Sequence, residues 1–478
     1  MLFNSPSFAL FFPVVFVIYW FASRKSLIFQ NLILLIASLY FYGCWDYRFL
    51  FLLLFSIGLD YFTGLYIGQA TKVSTKKIWL IVSVSVNLSF LGVLKYYNFF
   101  ADSFATVLSG LNFNVTPAFL NLVLPVGISF YTFHGLSYVI DIYKERIKPE
   151  RNFIDYAVFV SFFPLLVAGP IERATHLLPQ IQRKRKFDYN QAMDGLRQVL
   201  WGLFKKVVIA DNCAEYVNLI FDHSDTYSGS TLLLGAFLFS MQIYGDFSGY
   251  SDMALGTARL LGIELLRNFA YPYFSRDIAE FWRRWHISLS SWFRDYVYFP
   301  LGGSRGSLGL QVRNTFIIFL LSGFWHGANW TFIAWGGLNA IFFLPLLLSN
   351  NNRNHIEIVA KGQVLPSLGD FFRIVTTFII TTFAWIIFRA ESINHAISYI
   401  GGIFSTSLFT VPQIKPGYLL TLIAVFICIE WLGREEPYAI ARLGYKWPRI
   451  IKYAFYYLIV IALFVFAGDQ QQFIYFQF

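Results

Sequence analysis

The sequence predicts an all-α membrane protein that crosses the bilayer many times, and three observations carry that prediction. Of 478 residues, 57% are hydrophobic and only 13% charged, where soluble domains carry about 25% charged residues; mean hydropathy is +0.55. Apolar runs recur at roughly the 20-residue length that spans a hydrocarbon core. The basic residues gather in short connections between these runs, as positive-inside topology requires. The net charge of +10 therefore answers to topology and the lipid bilayer, and a nucleic-acid partner is excluded.

Taken in order, the candidate spans are 8–22, 28–45, 49–67, 78–96, 120–143, 199–221, 232–250, 312–330, 331–348, 371–388, 418–432 and 453–467, which gives 11–12 transmembrane helices. The first lacks a basic leader and a small-residue cleavage site, so it is expected to be retained. Arg24-Lys25, then Lys72, Lys76 and Lys77, then Lys144, Arg146, Lys148 and Arg151 fall at alternate connections and are assigned to the cytoplasm. The stretch 98–117, with the single charge Asp102, is expected to be an external loop.

Parity fails at Arg183-Lys184-Arg185-Lys186 if 153–168 crosses. Residues 153–170 are therefore expected to dip in and return, with Pro164 and Gly169-Pro170 breaking the helix inside a protein cavity. With that correction 222–230 is external, 434–452 cytoplasmic and the C-terminus extracytoplasmic, in a bacterial cytoplasmic membrane. Segment 267–305 holds six arginines among Trp282, Trp285, Trp292 and many Tyr and Phe. Such a segment is too charged to span and too aromatic to be a free loop. Short helices that lie at the cytoplasmic interface or enter the core from that side fit better. No linker divides the chain, so 1–478 reads as a single domain.

Cys44, Cys213 and Cys428 are far apart and have no CxxC or His/Cys cluster beside them. Neither a disulfide framework nor a metal site is expected. P-loop, Rossmann and HExxH patterns are absent too.

Two histidines are the candidates for chemistry, each against the alternative of a structural, hydrogen-bonded ring. His326 lies inside an apolar run, where an ionisable side chain is costly and functional by default. His286, in segment 267–305, is brought toward it from the cytoplasmic face. A neutral imidazole can take a proton from an acceptor hydroxyl and return it. Gly323 and Gly327 are expected to leave space beside the His326 ring, Trp325 and Trp330 to wall it and Asn329 to supply a hydrogen bond. Trp282 and Trp285 line the same region. His134 reads as a packing or pathway residue. Asp246 and Asp252 are open to proton or sodium binding, or to helix capping and arginine pairing. The run Arg183–Lys186 either steers a phosphorylated donor such as acetyl-CoA or is a topology signal contacting lipid headgroups. An ion-coupled transporter using the carboxylates and histidines as a relay is the rival class; inverted repeats would favour it, and none is visible between the halves.

The motifs FWRRWHISLSSWFRDY (281–296) and YFPLGG (298–303) strongly resemble the membrane-bound O-acyltransferase (MBOAT) family. They are most similar to its bacterial branch of alginate O-acetylation proteins and teichoic-acid D-alanyl transferases. LPVGISFYTF (124–133), VAGPI (167–171), DFSGYSD (246–252) and WHGA (325–328) follow in the same order. The resemblance implies that His326 is the catalytic histidine and His286 a second, tunnel-lining active-site residue. It also implies a family core of about 120–390 around a central tunnel, a cytoplasmic acyl donor expected to be acetyl-CoA with no cofactor bound, and an acceptor reached from the opposite face. His134 stands where the family commonly has glutamine, a departure that leaves it outside the catalytic set.

The tail QFIYFQF (472–478) resembles the C-terminal aromatic motif of a small single-span partner of the teichoic-acid enzyme, fused here within 451–478. On that resemblance Tyr475 becomes an acyl relay to an extracytoplasmic, SGNH-hydrolase-like transferase and a polysaccharide acceptor. Peptidoglycan or teichoic acid is the alternative acceptor, and an aromatic interface anchor the alternative role for the tail.

Overall fold

The computed structural model describes residues 1–23, 26–113, 115–121, 123–167 and 169–474, and every regular element among them is helical. Contacts divide the chain into two compact units, 1–192 with 257–266, and 193–256 with 267–478.

The first unit contains α1 (Pro6–Ser23), α2 (Leu27–Gly43), α3 (Arg48–Gln69), α4 (Val73–Leu91), α5 (Tyr97–Gly110), α6 (Ile128–Tyr143), α7 (Phe153–Ser161), α8 (Phe163–Leu166) and α9 (Ala174–Ile181). A π-helical turn, Gly92–Tyr96, joins α4 to α5, so the expected external loop 98–117 begins as helix. Phe99, Phe100, Phe104, Val107 and Leu108 sustain helical periodicity there, and the single charge at Asp102 does not interrupt it.

Helix α6 starts later than its apolar run, because Gly127 at its N-cap sits at φ +76 and a Cβ there would meet the Leu166 carbonyl oxygen at 2.0 Å. Fourteen of its 16 residues are buried, and it packs against α3, α4, α7 and α9. The 153–170 stretch is broken as expected. Its helix stops at Phe162, one residue before α8, and the buried Phe163 amide donates to Ser38 Oγ at 3.0 Å.

The second unit takes in most of α10 (Tyr189–Leu203), which runs through a π-helical segment, Phe204–Ala210, into α11 (Asp211–Asp222). It then holds α12 (Gly229–Leu260) except its last turn, α13 (Ile278–Arg284), α14 (Ile287–Phe293), α15 (Leu308–His326) and α16 (Trp330–Leu348). The remaining helices are α17 (Leu368–Arg389), α18 (Ile393–Ile403), α19 (Gly417–Leu432) and α20 (Arg449–Val465). Segment 267–305 folds into short helices with Phe281, Trp285, His286 and Leu289 buried, so it enters the core and does not float over it.

Among the described residues, five helices are long and apolar enough to cross a membrane: α3, the continuous 73–110, α15, α16 and α17. Three shorter apolar ones, in α1, α2 and α19, accompany them. The protein is a multi-pass membrane protein. Several other expected spans are helical but carry buried charge, Asp141 in α6, Lys205 and Lys206 in the π segment and Asp246 in α12, which lowers their hydropathy. Helices α15 and α16 cross closely at Gly323 and Gly336, where a Cβ would lie 2.2 Å from the Phe332 and 2.3 Å from the Phe319 carbonyl oxygen. Small residues allow this approach in membrane interfaces.

Candidate active site

His326 is the last residue of α15. Gly327 ends that helix in extended backbone, and Asn329 starts the next by accepting the Thr331 amide at 3.0 Å. The turn leaves the His326 ring 4% exposed, 5.0 Å from Trp325, 5.2 Å from Trp335 and 5.4 Å from Phe388, centroid to centroid.

His286 caps α14 in the left-handed region, φ +42 and ψ +54, a conformation that costs a non-glycine residue about 1–3 kcal/mol and persists only where the surroundings enforce it. Asn268 does the enforcing. Its carbonyl accepts the Ile287 amide at 2.9 Å, its Oδ1 accepts Ser288 Oγ at 2.9 Å, and its Nδ2 donates to Ser251 Oγ on α12 at 3.2 Å. The His286 ring, 1% exposed, meets Phe247 edge-on at 4.6 Å, stacks over Phe269 at 6.5 Å and faces Trp325 at 5.8 Å. It lies 6.4 Å from the His326 ring. Two imidazoles at that separation can both reach a single reacting group placed between them.

Trp325 touches both histidines, whereas Trp330, expected to wall the same ring, is 56% exposed at the start of α16. Trp282 stands one ring back from His326 through Trp335 at 5.5 Å, and Trp285 one ring back from His286 through Phe269 at 5.1 Å. Asn329 has a different task, since its Oδ1 caps α16 and its Nδ2 donates to the Glu391 carbonyl at 3.1 Å. The glycines also differ from expectation. Gly323 serves the α15–α16 crossing and Gly327 backs onto the Phe332 ring, where a Cβ would come within 2.2 Å, so neither leaves an open space.

In the first unit, His134 accepts the Glu172 amide on Nε2 at 3.1 Å, a packing role. Arg185 is a structural tie. It is buried and bonds Tyr19 Oη, Asn31 Oδ1 and the Ile181 carbonyl, so it is unsuited to steering a donor.

Asp252 and Asp246 pair with lysines, where arginines were the expected partners: Lys205 reaches Asp252 at 2.6 Å and Lys206 reaches Asp246 at 2.8 Å. Reading 199–221 as an apolar span passed over both lysines, although two adjacent cations inside such a run are the same signal that singles out His326. Among the described residues, no group of three His, Cys, Asp or Glu side chains is arranged to hold a metal ion.

Beyond α20 the chain turns back into the protein. Phe473 and Ile474 are each 1% exposed, with Phe473 4.8 Å from Tyr250 and 6.0 Å from Phe247. Tyr475 lies outside the described residues.

Two buried imidazoles 6.4 Å apart are thus enclosed by aromatic rings within a multi-pass helical scaffold, an arrangement in which proton transfer away from water is chemically feasible. Residues 144–387 match the membrane-bound O-acyltransferase family, MBOAT. The chain is 37% identical over 446 residues to the probable alginate O-acetylase AlgI of Pseudomonas aeruginosa, covering 92% of this chain and 82% of that protein. It is 37% identical over 432 residues to a peptidoglycan O-acetyltransferase of Helicobacter pylori (84% and 79%) and 27% identical over 286 residues to a teichoic acid D-alanyltransferase of Bacillus subtilis (58% and 71%). The chain belongs to the MBOAT family and is an O-acyltransferase.

Proposed function

We propose that residues 1–478 work as one domain of a bacterial cytoplasmic membrane, moving an acetyl group from cytoplasmic acetyl-CoA toward an extracytoplasmic polysaccharide of the alginate type. In this reading His326 is the general base and His286 lines the tunnel and orients the donor. Tyr475 is the first acceptor. Its hydroxyl oxygen attacks the thioester carbonyl, the C–S bond breaks, and the phenolic proton passes through His326 to the leaving thiolate. The resulting aryl ester is more reactive than an alkyl ester, so a second, extracytoplasmic transferase of SGNH-hydrolase type can empty it downhill; splitting one hard step into two is what a covalent relay achieves.

The observation that carries this reading is the position of Ile474. The residue just before Tyr475 is buried, and its amide donates at 2.7 Å to Asp246, next in sequence to the Phe247 ring that abuts His286. Lysine pairing of Asp246 and Asp252 weighs against the transporter alternative, because both carboxylates already have cations. The Helicobacter pylori relative keeps peptidoglycan open as the acceptor. Tyr475→Phe retains the ring and deletes the hydroxyl. After incubation with labelled acetyl-CoA, mass spectrometry of the C-terminal peptide should find an acetyl ester in the wild type and none in Tyr475→Phe or His326→Ala. Polymer acetylation at the normal rate by Tyr475→Phe would reduce Tyr475 to an anchor.

A further inference from the structure

In the π-helical segment Phe204–Ala210, Lys206 points into the protein with its side chain 3% exposed. The widened helix frees carbonyls, and Asn212 takes up two of them, donating to Val207 and Val208 at 3.1 Å each. The same Asn212 amide reaches the Phe466 carbonyl at 2.8 Å, where α20 has just ended. The bulge and the start of the tail are therefore tied together.

Lys206 Nζ has three acceptors around it, Asp211 Oδ1 at 2.8 Å, Asp246 Oδ1 at 2.8 Å and the Gln471 carbonyl at 3.2 Å, matching the three donors of an ammonium group. The other oxygen of Asp246 accepts the Ile474 amide. One carbonyl and one N–H of the tail, three residues apart, are thus held by a single buried ion pair. Phe473, between them, sets the register by filling the space against Tyr250 and Phe247.

We propose that Lys206 and Asp246 form a clamp that docks the main chain of residues 471–474 beside Phe247, the ring that abuts His286. Charge buried at this depth is costly and is kept where it has a task. If the tail left, the ammonium would lose an acceptor and the carboxylate a donor, the unfavourable outcome for buried polar groups. Because the clamp holds backbone, it fixes position and direction with little regard to side chain; identity is left to Phe473. Lys206 and Asp246 are positioning residues, and their consequence for the reaction rests on the reading that Tyr475 carries the acyl group.

Ile474→Pro in the full-length protein removes the N–H without touching the buried charges, so the core folds as before; Asp246→Asn attacks the same bond from the other side. Hydrogen exchange of the peptide 467–478 should rise in both while the 308–348 region keeps its protection. Acyl transfer should fall about tenfold or more, the loss expected for one hydrogen bond to a charged group. A synthetic peptide of residues 469–478, added in excess, should restore transfer to Ile474→Pro and fail to restore Asp246→Asn. Unchanged tail protection in both variants, or equal rescue of both, would overturn the clamp. Loosened tails together with a fully active Tyr475→Phe would keep the clamp and remove the relay. A protected tail in Ile474→Pro beside an inactive Tyr475→Phe would do the reverse.

Discussion

His134 and His326 are both buried on membrane-protein helices, and what each touches sets them apart. His134, in the first unit, accepts a backbone amide from Glu172 and so closes a main-chain hydrogen bond. His326, in the second, ends a helix among Trp325, Trp335 and Phe388, with a second imidazole 6.4 Å away. The same contrast runs through the charged residues. Arg185 in the first unit bonds mainly carbonyls and amide side chains of its own surroundings, whereas Lys205 and Lys206 in the second bind carboxylates. An ionisable group in an apolar run marks a site only when its neighbours leave it chemistry to do.

The largest expected effect tests that distinction directly. His326→Ala should lower acyl transfer by about 10²–10⁴-fold, the contribution of a positioned general base, with a thermal midpoint in detergent close to wild type. His286→Ala should cost as much or less. If the two rings act as one unit, the double variant will be no worse than His326→Ala alone; a multiplicative loss would show separate roles.

For His134 the expectation inverts. His134→Gln offers an oxygen to the same amide and should retain transfer. His134→Leu should cost about 1–3 kcal/mol of stability by stranding that donor, with turnover per folded molecule unchanged. A loss of turnover comparable to that of His326→Ala would erase the comparison.

The smallest effect concerns His176 in α9. The Glu172 carboxylate, 2.8 Å from Nδ1, raises this imidazole above its usual 6.5. A raised folded-state value means that the stabilisation is fully present below pH 6.5 and disappears as pH climbs through the raised value. The group is partly exposed, so the effect is small. The thermal midpoint of wild type minus that of His176→Gln should shrink between about pH 5 and about pH 8, and a difference that grows with pH would contradict the ion pair.

Much of this was legible in the chain. His326 stands out because its run is otherwise apolar, and the break in 153–170 is signalled by Pro164 with Gly169-Pro170. The arginine-tryptophan density of 267–305 predicts short helices that lie at the interface or enter the core, and the structure has the second of these. Other features were hidden by the physics that makes them. Lys205 and Lys206 disappear into the average hydropathy of 199–221, and the carboxylates that neutralise Asp246's partner and its neighbour lie on different turns and helices. Asn329 stands where the chain turns between two helices, so its oxygen goes to a cap, a use that proximity to His326 in sequence conceals. The glycines read as space beside a ring are contact points between helices, a distinction that needs the partner helix to be seen.

The aromatic wall has a further consequence, for observation. Trp282, Trp335, Trp385 and Trp285 form an unbroken chain of rings with centroids 4.9–5.5 Å apart, and Trp325 joins it across His326. Indoles this close share their electronic excitation, so these four linked indoles of the 13 tryptophans give the site its own signal in near-ultraviolet circular dichroism. A substitution at His326 that loosens the packing of Trp325 and Trp335 around it will change that signal. The enzyme can be watched from inside its own cage without attaching a dye.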